Sequence, residues 1–208
     1  MLRWRLGILK WHHEPGKGSM DKAWRRLVVA CALVFLGVEA SDAHPHLWVT
    51  LKCRIIFGAD GSMVAVRHVW SFDEMSSSFL TLGARDKGGM FTSEKLASLA
   101  AEQVASLKSS GYFTSATVNG IKQQLEASTD YGLEAVDGIL TLQFTLPFES
   151  RPTEQALELE VYDPGYFVDF SFAERAPVEL VNPPSQCKLA VTRQTWTQVA
   201  NKIAVTCP

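Results

Sequence analysis

Two histidines flank a proline at His44-Pro45-His46, directly behind Ser41-Asp42-Ala43. In an extended chain, residues i and i+2 point to the same side, so the two imidazoles face one way. Upstream, Arg25-Arg26 precede an apolar run from Leu27 to Val38, and Ser41 and Ala43 are small. A basic flank, a short apolar core and a small-x-small end form a secretory signal peptide. A cut after Ala43 makes His44 the first residue. Its freed α-amine then has a reference pKa of about 7.7–8.0 and chelates an ion together with its own Nδ1. His46 adds a second imidazole. Pro45 has a fixed φ and no N–H, which blocks the rival site where deprotonated backbone amides ring copper or nickel. One amine and two imidazoles suit copper, nickel, zinc or cobalt, with copper tightest on affinity alone. The plain alternative is a solvated terminus that binds nothing.

The elements behind this triplet decide what stands beside it. Leu47, Val49, Leu51, Cys53, Ile55 and Phe57 alternate with Trp48, Thr50, Lys52 and Arg54, the period of a strand with one buried face. Gly58-Ala59-Asp60-Gly61 is a turn signal. A second strand carries Val64, Val66, His68, Trp70 and Phe72 on its apolar face. Opposite residues of an antiparallel pair share a face. The shortest compatible turn sets Phe57 against Ser62, Val49 against Trp70 and His46 against Asp73. A register slipped by two sets Trp48 against Asp73 and leaves His46 one diagonal away. Either way Asp73, followed by Glu74, is expected beside the triplet, as ligand or as orienting partner of an imidazole. The competing reading makes Asp73 the cap of the next segment.

His68 falls between Val66 and Trp70 on the apolar face and reads as a hydrogen-bonded core histidine, not a ligand. Met75–Leu82 is expected to form a short helix. Leu96, Leu99, Ala100, Gln103, Val104 and Leu107 recur at helical spacing, with Thr92 or Ser93 as the cap and Gly111 as the stop, so the main helix is expected over Ser93–Ser110. The loop before it fails as a calcium loop: with Gly89 as the turn glycine, Ala84 and Lys95 fall at ligand positions. Ala116–Ala127 and Ile139–Leu146 have β character, with Asp137-Gly138 as a turn. Leu157–Tyr162 and Tyr166–Phe172 flank Asp163-Pro164-Gly165 as an expected hairpin, placing Asp169 on the polar face. Asp163 and Asp169 are candidate distal contributors that spacing alone cannot bring to His44. The expected fold is α+β: antiparallel sheet built from hairpins, with the one main helix packed on it.

The chain of 208 residues carries a formal charge of −2, with 47 % apolar and 20 % charged residues, a globular composition. It divides into a leader over 1–43, whose conventional start is Met20, and a single domain over 44–208. Losing the leader removes seven bases and four acids and takes the charge to −5. That balance argues against nucleic acid as partner. The Leu27–Val38 run is shorter than the roughly 20 residues that span a bilayer, and no later stretch approaches that length, so no transmembrane segment is expected in the mature chain. Cys31 leaves with the leader. Of Cys53, Cys187 and Cys207, the last two are expected to pair in an oxidising compartment, with Cys53 a buried thiol; the other connectivities stay open. No CxxC pair is present, which argues against a thiol oxidoreductase.

His44-Pro45-His46 behind a signal peptide, Trp70-Ser71-Phe72-Asp73-Glu74 at a strand end, Gly111-Tyr112-Phe113, and Tyr162-Asp163-Pro164 followed by Tyr166-Phe167 together resemble a bacterial family of unknown function, domain-of-unknown-function family 1007. The resemblance implies a periplasmic component of a transport system, often encoded near nickel/cobalt or other metal permeases. Many members have a more acidic loop before the main helix, and this chain departs there. The leading expectation is a non-enzymatic, periplasmic transition-metal-binding accessory protein. Its metal site comprises His44 and His46, with Asp73 and Glu74, and its partner is a membrane permease. The alternatives are a copper-dependent oxidative enzyme built on a histidine brace and an adaptor that binds only protein.

Overall fold

Alternation of apolar and polar residues, broken by turn residues, folds this chain into two facing sheets. The computed structural model describes residues 47–82, 84, 91–152, 156–193 and 200–207. The leader, the cleavage motif and His44-Pro45-His46 lie outside the described residues, as does most of the loop tested as a calcium site. The strands are β1 (Leu47–Phe57), β2 (Met63–Phe72), β3 (Thr114–Val118), β4 (Ile121–Gln123), β5 (Tyr131–Val136), β6 (Ile139–Pro147), β7 (Ala156–Val161), β8 (Val168–Phe172), β9 (Val178–Val181), β10 (Lys188–Thr192) and β11 (Asn201–Thr206). Helix α1 (Glu74–Leu80) follows β2, and α2 (Ser93–Leu107) runs into a 3-10 segment over Lys108–Phe113.

One sheet has the order β5-β6-β2-β1-β8, with β9 also on β1; the other has the order β10-β11-β7-β3-β4. The α+β expectation therefore holds, with two sheets where one was expected. The odd residues of β1 and the even residues of β6 turn inward and meet Leu157, Leu159, Val161, Ile203 and Val205 of the second sheet in one core. Phe144 and Phe170 are fully buried there, each contributing about 2–3 kcal/mol of apolar burial. Helix α2 starts on Thr92, whose Oγ1 accepts the Lys95 N–H at 3.3 Å, and buries Ala100 and Val104. It packs against β5 and ends as α-helix at Leu107, three residues short of expectation. Gly111 at φ 59° and Tyr112 at φ 56° then leave helical geometry and turn the chain into β3.

Three readings need correction. In the hairpin, Val49 faces Phe72 and Leu51 faces Trp70, so the slipped register is the one adopted. The cause is a five-residue loop, closed by Gly58 N–H to Ser62 O at 2.8 Å, followed by an irregularity between Ile56 and Phe57. That irregularity flips the face of the first β2 residues: Met63 is buried and Val64 only half-buried. The segment over 116–127 is not one strand but a tight β3–β4 hairpin turning at Asn119-Gly120. The Asp163-Pro164-Gly165 segment does not close a hairpin. β7 pairs with β11 and β3, whereas β8 crosses to the first sheet and pairs parallel with β1, Leu47 beside Val168 and Trp48 beside Asp169. Asp163 is buried and its carboxylate accepts the N–H groups of Gly165, Phe167 and Val168 at 2.8–3.0 Å, which shapes a crossover and not a two-strand turn.

The disulfide joins Cys187, just before β10, to Cys207, just after β11, and Cys53 is a buried thiol. It pins the carboxy-terminal strand pair, whose outer strand β10 is largely exposed.

Candidate functional site

β1 begins at Leu47, one residue after His46. Consecutive Cα atoms are about 3.8 Å apart, so covalent geometry alone holds His46 at this end of the sheet and His44 within roughly 11 Å of Leu47. Leu47 donates its N–H to Phe167 O at 3.1 Å, fixing the start of β1 against β8. Trp48 O accepts the Asp73 N–H at 3.2 Å, and Trp48 N–H donates to Ser76 Oγ at 3.2 Å. Because the inner residues of β1 carry odd numbers, Trp48 and Thr50 face outward, with Ser71 and Asp73 on one side and Asp169 and Ser171 on the other. These residues line a shallow groove of about 440 Å³ closed at its edge by Ile139.

Asp73 takes the capping role weighed for it. Its Oδ1 accepts the Ser76 N–H at 2.8 Å and caps α1. Among the described residues Oδ2 takes no hydrogen bond, and Asp73 is half-buried on the groove. Glu74 is the first residue of α1 and is exposed, with its charge favourably placed at the helix start. Two buried serines hold this corner. Ser77 Oγ donates to Phe72 O at 3.3 Å and accepts the Leu140 N–H at 2.9 Å, tying α1 to β2 and β6. Neither serine stands out in the sequence, because small polar residues in a short helix carry no periodic signal.

The structure thus brings Asp73 and Asp169 to either side of Trp48, at the start of β1. It separates Asp163, whose oxygens are committed to its own loop. No group of three or more His, Cys, Asp or Glu side chains able to hold a metal forms among the described residues; His44 and His46 are not among them. Asp169 was visible as an outward residue of an alternating strand, but nothing in its spacing signals a parallel partner more than a hundred residues earlier.

His68 is inert by position. It is fully buried, stacked on Phe144 at 5.0 Å, with Nδ1 3.4 Å from Cys53 Sγ and Nε2 3.2 Å from Thr114 Oγ1. Thr114 Oγ1 donates to Tyr112 O at 2.8 Å, so its lone pair faces His68 Nε2–H and His68 Nδ1 accepts the thiol S–H. Burial lowers the His68 pKa to about 3 and pushes the Cys53 thiol up. The neutral ring and the protonated thiol join β1 to β2, and the Thr114 hydroxyl on β3 carries the link from His68 to the second sheet.

Fold and groove define an α+β domain of two facing sheets whose amino-terminal strand opens onto an outward acidic notch. The chain belongs to the family described as Protein of unknown function (DUF1007), whose model matches residues 29–207. The match spans the His-Pro-His triplet, Asp73, Asp169 and both disulfide cysteines. No curated protein matches the chain.

Proposed function

We propose that this protein is a periplasmic accessory of a metal-transport system that carries a transition metal ion at its mature amino terminus and exchanges it with a membrane permease. The observation that carries the reading is the position of Asp73: a carboxylate with an open oxygen stands opposite Trp48, two residues beyond His46. The His44 amine and imidazole and the His46 imidazole would hold the ion. Asp73 would complete the set or fix an imidazole by hydrogen bonding, and Glu74 would add negative charge at the rim. A donor set of nitrogens with one carboxylate suits nickel, cobalt, zinc or copper as cargo. Protonation empties such a site, because the amine and imidazoles must be neutral to bind.

The test begins with the mass of the exported protein, expected to start at His44. Titration with each of the four ions should then give one tight site per chain. His46→Ala should weaken it by two orders of magnitude or more, and Asp73→Asn by about 10–100-fold. Equal affinity in the wild type and His46→Ala would remove the triplet from the site and leave the protein-only adaptor.

A further inference from the structure

Three successive residues, Gly111, Tyr112 and Phe113, hold left-handed backbone at φ 59°, 56° and 51°. Glycine adopts that region freely, but a tyrosine and a phenylalanine do so at a cost that their surroundings must offset. Three hydrogen bonds hold the turn. The Thr114 N–H donates to Gly111 O, the Thr114 hydroxyl donates to Tyr112 O at 2.8 Å, and the Tyr162 N–H donates to Phe113 O at 3.1 Å. The turn sends the two rings to different places. Phe113 enters the core against Trp70 and Phe170. Tyr112 packs its ring on Phe144 and is only 5 % exposed, yet its hydroxyl has no hydrogen-bond partner among the described residues. Trp70 Nε1 is the one side-chain polar atom among them that is both wholly buried and unpartnered, so the Tyr112 hydroxyl keeps an outlet. That outlet is a pocket of about 300 Å³ which Tyr112 lines.

We infer that this pocket binds a small organic dicarboxylate. Lys108, just past α2, and Lys122, in β4, stand in its wall, and neither has an ion-pair partner among the described residues. No Asp or Glu lines it. Two unpaired cations held by different elements match an anion with a charge at each end. The Ser115 hydroxyl and the Gln124 side-chain amide also line the pocket and are unpaired among the described residues, so they are further donors to carboxylate oxygens. The Tyr112 hydroxyl is the buried donor of the set: a carboxylate oxygen gives it the acceptor that the protein withholds. Leu125 and the Tyr112 ring supply an apolar wall, which covers a short carbon skeleton and has no use for a bare inorganic ion. None of these elements lines the groove beside Trp48, so the pocket stands apart from the metal reading.

Isothermal titration of the exported form with succinate, malate and glutarate tests it, with a chelator present so that no metal contributes. At least one of the three should bind at one site per chain, and succinamide, the uncharged counterpart of succinate, should not. Lys108→Met and Lys122→Met should each weaken the tightest of the three at least about tenfold, and Tyr112→Phe should weaken it about tenfold. Tyr112→Phe should also melt at the wild-type temperature, because the hydroxyl it removes has no partner in the protein. Lys202→Met, which removes a lysine already paired with Glu160, should bind as wild type. Absence of saturable binding by all three acids, equal affinity in the wild type and both Lys108→Met and Lys122→Met, or tighter binding of inorganic phosphate would each overturn the inference. A Tyr112→Phe variant that melts lower and binds as wild type would overturn it too, by making the hydroxyl structural.

Discussion

The same two strands, β1 and β2, carry titratable side chains on both faces, and the two faces have opposite chemistry. Inward, Cys53 and His68 meet at 3.4 Å, both fully buried. Each is neutral there, and His68 has both ring nitrogens paired. Outward, Asp73 is half-buried, binds one helix N–H and keeps an oxygen toward a groove. The inner face holds a structural clamp, and the outer face ends in a carboxylate beside a groove. Residue type therefore does not assign function here; the side of the sheet does.

The largest expected effect lies on the inner face. His68→Ala leaves a cavity and removes the partner of the buried Cys53 thiol, and should cost about 3–4 kcal/mol in denaturant unfolding. The pH dependence has a definite sign. Folding lowers the His68 pKa from 6.5 to about 3, so the unfolded chain binds a proton that the folded chain refuses. The His68 contribution is complete above pH 6.5 and is lost at roughly 1.4 kcal/mol per pH unit as pH falls toward 3. Thermal melts of His68→Gln should be flatter than wild type across that window. Parallel melts would show that folding does not lower the His68 pKa and would break the contrast between faces.

Next in size, Cys187→Ser should cost about 3 kcal/mol, because it opens a loop of 20 residues in the unfolded chain. This loss should leave metal affinity untouched, since the bridge holds β10 to β11 in the other sheet.

Asp73 sharpens the contrast because its two tasks separate. Asp73→Ala removes the cap of α1 and should cost about 1 kcal/mol. Asp73→Asn keeps a good cap, so stability should stay within a few tenths of a kcal/mol of wild type while metal affinity falls. An Asn variant that binds metal normally would make Asp73 a cap and nothing more. Glu74→Gln should be smallest, a few tenths of a kcal/mol through the charge at the helix start.

Much of this was legible in the chain. The alternation from Leu47 to Phe57 fixed which face is buried, Thr92 marked the start of α2, and the inward position of His68 foretold its role. The register was not legible, because a local irregularity at Ile56/Phe57 depends on how the loop closes and leaves no mark in the apolar pattern. Nor was the crossover after β7. An Asp-Pro-Gly sequence favours a turn wherever it occurs, and whether the following strand returns to its neighbour or changes sheet is decided by distant partners. That choice put Asp169 beside Trp48. Met75, Phe79 and Leu82, in and just past α1, stand at helical spacing, yet they are exposed while Ser76 and Ser77 are buried; periodicity alone reports a face and not which way it points.

The most direct measurement compares metal affinity of the chain beginning at His44 with that of the same chain carrying one extra alanine ahead of it. The extra residue removes the α-amine from His44 and leaves both imidazoles, Asp73 and the fold in place. Affinity for the tightest-binding ion should fall by at least about 100-fold, as expected when one ligand of a chelate is withdrawn. Equal affinity in the two proteins would contradict a site built on the freed amino terminus.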